Sequence, residues 1–91
     1  MANIHLRQGH HKSEKEVRRI ADQLADQLSR QYQLSSRWNG NTLEFKRSGL
    51  HGALILGDSE VTISLKLGIL MSTFSGRIEK ELAKSLKDTL A

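Results

Sequence analysis

Apolar residues recur every three or four positions between Val17 and Leu28, and every second position between Leu43 and Leu67. In the segment "SEKEVRRIADQLADQLSRQY", Val17, Ile20, Leu24 and Leu28, joined by Ala21 and Ala25, build one apolar stripe, while Arg18, Asp22, Asp26 and Arg30 face water. This spacing predicts an amphipathic helix. Ser13 followed by Glu16 has capping-box spacing and sets its start. From Leu34 the period becomes two: Ser36 and Trp38 share a face, Asn39-Gly40-Asn41 supplies turn chemistry, and Leu43 and Phe45 alternate with Thr42, Glu44 and Lys46, a hairpin pattern. Arg47-Ser48-Gly49 ends that strand, "LHGALIL" makes the next, Gly57-Asp58 turns it, and "VTISLKL" follows with Val61, Ile63, Leu65 and Leu67 inward. Gly52 inside its strand predicts a bulge or a close approach by another element, with the Trp38 ring as the candidate neighbour. Ahead of the first helix, "NIHLR" reads as a short strand, and Phe74, Ile78, Leu82, Leu86 and Leu90 recur every four residues as a second amphipathic helix.

Short turns between consecutive strands imply an antiparallel meander, and two helices with one stripe each imply two layers. The expected fold is therefore α+β: an antiparallel sheet of about five strands, both amphipathic helices on one face, in the order β-α-β-β-β-β-α. The 91 residues suit one domain, 1–91, with no internal repeat, low-complexity tract or proline. A chain this short spends its apolar residues on packing rather than on a deep pocket.

Cysteine is absent, which excludes disulfide and thiol chemistry and fits a reducing compartment. No apolar run approaches the roughly 20 residues that span a bilayer, and "MANIHLRQGHHK" has no hydrophobic signal core, so a cytoplasmic location is expected. The formal net charge of +4 is unevenly placed. Residues 1–19 hold five Lys/Arg against two Glu, residues 20–29 hold only Asp22 and Asp26, residues 30–47 hold four cations against Glu44, and residues 48–91 balance. An anionic partner would meet the N-terminal half. Lys12, Lys15, Arg18 and Arg19 invite a nucleic-acid reading, but aromatics are only 4% of the chain and no helix-turn-helix or ribonucleoprotein motif is present. Non-specific phosphate contact is the form that reading takes.

Catalytic chemistry finds little footing. His5, His10 and His11 diverge in direction and lack a Cys or carboxylate pair to complete a metal set. His51 and the many serines form no nucleophile-base motif, and Asp22 and Asp26 decorate an exposed helix face. The expectation is a non-enzymatic protein with no metal and no cofactor. An interaction module is better supported by "LGILMSTFSG", residues 67–76. Ile69, Leu70, Met71 and Phe74 crowd one corner with more apolar residues than one turn can point inward. The corner either plugs the end of the sheet or offers a patch to a partner chain, a homodimer mate or an apolar surface.

The run Trp38, Gly40, Leu43, Phe45, Arg47, Gly49 and Gly52, read as W-x-G-x-x-L-x-F-x-R-x-G-x-x-G, resembles the central signature of the polyhydroxyalkanoic acid system protein family. His10, the helix start with Glu16 and Arg18, the "LKLGILMS" segment and the closing Ile78-Glu79-x-Glu81 extend the resemblance over almost the whole chain; Lys12 and Val17 depart from it. The resemblance implies a small cytoplasmic bacterial protein acting at the surface of polyester storage granules or on their accessory proteins, and it brings no catalytic residue. On that reading Ile69, Leu70, Met71 and Phe74 supply apolar contact area, and Arg37, Lys46 and Arg47 beside Trp38 supply a cationic rim.

Overall fold

The computed structural model describes residues 2–90. Its elements follow the order β1 (Ala2–Gly9), α1 (Glu14–Tyr32), β2 (Ser35–Asn39), β3 (Thr42–Arg47), β4 (Leu50–Leu56), β5 (Glu60–Leu67), α2 (Ile69–Ser72) and α3 (Ser75–Leu90). The fold is α+β, with the five strands in one antiparallel sheet of order β1-β5-β4-β3-β2. Three hairpins account for β2 to β5. The first strand joins the last because α1 carries the chain from one edge of the sheet to the other.

Alternation decides the two faces. Ile4, Leu43, Phe45, Leu54, Ile63 and Leu65 fall in register on one face and are almost fully buried. The stripe of α1 (Val17, Ala21, Leu24, Ala25, Leu28) and that of α3 (Ile78, Leu82, Leu86, Leu90) cover this face, α1 over β4 and α3 over β1. Each fully buried Leu or Ile contributes about 1.5–3 kcal/mol, so the shared core is what holds these helices. Ser13 caps α1, its hydroxyl accepting from the Glu16 amide at 3.3 Å. Gln33 ends it in the left-handed conformation (φ 58°), its amide donating to the Ser29 carbonyl.

Three features differ from the sequence-based expectation. β1 is longer than "NIHLR", because pairing with β5 runs from Ala2↔Leu67 to Gly9↔Glu60 and stabilises ends that show no alternation of their own. A one-turn helix, α2, precedes α3; four residues are too few for a helical period to be visible. Gly52 is not bulged, since the register of β3 and β5 runs through it unbroken. A Cβ there would collide with the Leu65 side chain and lie 2.7 Å from the Ser64 carbonyl, so the close neighbour is β5 and not Trp38.

The strands define two ends. One holds the β3–β4 turn at Ser48-Gly49, the C-terminus of α1, and α2. The other holds the β2–β3 turn at Gly40-Asn41, the loop after Leu56, and the N-terminus of α1.

Candidate functional site

At the first end, Gly68 leaves β5, its amide donating to the Gly49 carbonyl at 2.8 Å, and opens the single turn of α2. One turn has one inward position, and Met71 takes it: it is 6% exposed and packs against Gly49. Ile69 and Leu70 are left outside at 79% and 85% exposure. The turn is held by its own polar residues, the Ser72 hydroxyl donating to the Ile69 carbonyl and that of Thr73 to the Leu70 carbonyl. Phe74, 42% exposed, leans on Tyr32 with ring centroids 6.5 Å apart and planes tilted by 59°.

Cations stand on the helix side of this corner. Arg47 donates to the Tyr32 carbonyl at 2.6 Å and to the Ser48 carbonyl at 3.1 Å, so it serves the C-terminal end of α1, where a positive charge is favoured. Arg77 pairs with Glu81 at 3.1 Å, and that carboxylate raises the Arg77 pKa, chiefly through the hydrogen bond. The Tyr32 hydroxyl donates to Glu81 at 3.4 Å; burial, then the Glu81 charge, raises its pKa above 10.0. A shallow groove of about 420 Å³ runs between Tyr32, Arg47, Met71, Phe74 and Arg77.

The proposed rim residues are not assembled as the sequence reading expected. Trp38 lies on the helix-facing side of edge strand β2, opposite Leu43 and near the other end of the sheet. Four strand residues, ~13 Å, separate Leu43 from Arg47. Its ring is covered by the Arg18 guanidinium, 4.5 Å from the centroid, and its indole N–H donates to Asp22 at 2.7 Å. Arg18 also donates to the Gly40 carbonyl and to Asn41 Oδ1, tying α1 to the β2–β3 turn. Trp38 thus clasps a helix to a hairpin. Arg37 and Lys46 lie on the opposite, uncovered face of the sheet, where Arg37 faces Glu44 at 3.7 Å. The structure brings Arg47, Met71 and Phe74 together along one groove, while Ile69 and Leu70 project from the turn that precedes it. Tyr32 and Arg77 complete the corner; Tyr32 continues the α1 stripe four residues after Leu28, and Arg77 has its Glu81 partner one helical turn ahead, signals that the sequence carried.

His10 is the one buried polar residue among those described. Its Nδ1 accepts from the Lys12 amide at 3.1 Å, and its own amide donates to the Ser59 carbonyl, so it latches the turn from β1 into α1. Its Nε2 is buried without a partner among the described residues. No group of three or more potential metal ligands occurs among the described residues, and no described helix is long and apolar enough to cross a membrane.

These features define a small two-layer α+β domain whose most distinctive surface is an apolar corner set among cations. Residues 4–90 match the family model described as "Putative polyhydroxyalkanoic acid system protein", and the chain belongs to that family. Comparison with curated proteins and with solved structures returns no match.

Proposed function

We propose that this protein is a non-enzymatic accessory factor of polyhydroxyalkanoate storage, cytoplasmic, and docked on granules or their associated proteins through the α2 corner. One observation carries the reading: in a family tied to polyester storage, Ile69 and Leu70 stand almost fully exposed side by side on a hydrogen-bonded turn. Scattered exposed apolar residues are ordinary on a protein surface, but two adjacent ones on a single turn, with the half-exposed Phe74 four residues on, make an apolar protrusion of the kind that peripheral proteins insert into apolar boundaries. Arg47 lines the groove that follows it, beside the Arg77–Glu81 pair.

The nucleic-acid alternative rested on Lys12, Lys15, Arg18 and Arg19. Arg18 is committed to Trp38, Gly40 and Asn41, which thins that cluster. The test is fractionation of polyester-accumulating cells carrying Ile69→Asp with Leu70→Asp. Each side chain is worth about 1.5–3 kcal/mol when buried against an apolar phase, so the granule-bound fraction should fall at least about tenfold with circular dichroism unchanged. A folded double variant that stays on granules would eliminate the corner as the contact.

A further inference from the structure

The sheet face that no helix covers carries a charge pattern that the register makes explicit. Lys66 on β5 pairs with His51 on β4, which pairs with Lys46 on β3; Asn3 and Ser35 extend this row to the two edge strands. Neighbouring strands lie ~4.8 Å apart, so the two lysines stand ~10 Å from each other with the imidazole between them. Lys46, His51 and Lys66 are all exposed. The carboxylates of this face are matched elsewhere on it, Glu44 by Arg37 at 3.7 Å and Glu60 by Arg7 at 3.1 Å. Neither lysine belongs to an ion pair among the described residues. The surplus positive charge of the open face is therefore concentrated in one row.

That row lies at the α2 end of the sheet. Lys66 precedes Leu67, which pairs with Leu50 beside the β3–β4 turn, and Ile69 is only three residues further along the chain. The α2 end of the sheet thus carries the exposed Ile69 and Leu70 and, on its open face, the row Lys66, His51 and Lys46; on the helix side Arg47 lines the groove and Arg77 is paired with Glu81. We infer that this end of the molecule is a bipartite surface for an anionic lipid layer, with Ile69 and Leu70 entering the acyl region and the lysine row meeting the headgroups. The inference deepens the granule-docking reading by naming the partner's chemistry, and it rests on that reading for the role of the corner.

Other occupants fit less of the pattern. An uncharged polyester surface has no use for the lysine row. A second copy stacked on this face with the same ends together would set two lysine rows against each other, and one reversed end for end would leave Ile69 and Leu70 without a partner on that face. A nucleic acid has no use for Ile69 and Leu70, and the open face offers its bases no aromatic platform. An anionic lipid layer uses both parts, as amphipathic and polybasic membrane-surface segments do.

The test is sedimentation of the full chain with vesicles of phosphatidylglycerol and phosphatidylcholine, compared with phosphatidylcholine alone. Binding to the anionic vesicles, weakening with salt, is expected. Leu70→Asp should reduce it, and Lys46→Glu with Lys66→Glu should reduce it at least about tenfold. Lys15→Glu, a charge reversal on the first turn of α1 at the far end, should change it little. Equal binding to neutral and anionic vesicles, no vesicle binding, or a loss from Lys15→Glu equal to that from Lys46→Glu alone or Lys66→Glu alone, each measured beside the double variant, would overturn the inference. Granule association that survives without vesicle binding would overturn the lipid partner and leave the docking corner standing. Vesicle binding without granule association would support the lipid surface and remove its granule context.

Discussion

The two ends of the sheet treat large apolar residues in opposite ways. At the Gly40-Asn41 end, Trp38 is half-buried, covered on one side by Arg18 and hydrogen-bonded to Asp22, so both its π face and its N–H have partners within the chain. At the α2 end, Ile69 and Leu70 have almost none of their surface covered. The contrast shows that size and hydrophobicity do not mark a contact residue. Unsatisfied surface does, and it depends on which neighbours the fold brings up. The place of Trp38 between arginines in the sequence suggests a docking rim; the arginine that reaches its ring comes instead from α1 and spends its guanidinium on the clasp.

Substitutions at the two ends should separate these roles. The largest effect is expected one residue away from the exposed pair. Met71→Asp buries a charge against Gly49 with no partner, and should cost at least about 3 kcal/mol in urea unfolding, whereas Leu70→Asp should stay within about 0.5 kcal/mol of the parent. Equal destabilisation by both would show that the corner plugs the sheet rather than projecting from it. At the other end, Trp38→Ala removes a half-buried aromatic and its clasp, and should cost about 2 kcal/mol while leaving any granule or vesicle association of the folded protein intact. A loss of association without a loss of stability would return Trp38 to the contact surface.

The smallest effect concerns pH. The Tyr32 hydroxyl has a folded-state pKa above its unfolded value of 10.0, from burial first and Glu81 second. Between the two values the unfolded chain has released the proton and the folded chain keeps it, so the contribution is complete below pH 10.0 and is lost as pH rises through the folded value. Thermal melts should therefore decline less steeply above that pH in Tyr32→Phe than in the parent. Identical alkaline profiles would mean that the folded protein does not raise the Tyr32 pKa, by burial or by Glu81.

Much of the fold was legible along the chain because its signals are local. The change of period from about 3.6 to two near Leu34, the Ser13 cap and the turn residues at Gly40, Gly49 and Gly57 place the main elements close to where they occur. The alternation of burial that puts Leu43, Phe45, Leu54 and Ile63 on one face follows from the pleat itself. The apolar corner was legible as a surplus of apolar residues between Leu67 and Phe74. Which of them projects was not, because a single turn has no period from which to read an inward side. The period-two pattern already sets Arg47 on the face of Leu43 and Phe45 and Arg37 on the face opposite Trp38; that Arg47 reaches the Tyr32 carbonyl was not legible, because that partner lies fifteen residues away at the end of a helix.

Periodicity, caps and a continuous motif are local, so the chain alone specifies the two long helices, the five strands and their order, the face each buries and the family resemblance, but not the single turn of α2 or the full length of β1. The tertiary structure decided the rest. It placed Arg18 over Trp38, drew Arg47 to the Tyr32 carbonyl, sealed Met71 against Gly49 and aligned Lys66, His51 and Lys46 in one row. Each of these is a meeting of residues distant in the chain, made when the apolar stripes of α1 and α3 settle on one face of the sheet. Hydrophobic burial is non-directional and says only that those stripes must be covered; the register of the strands and the length of each turn then fix which polar and charged groups arrive together on what remains outside.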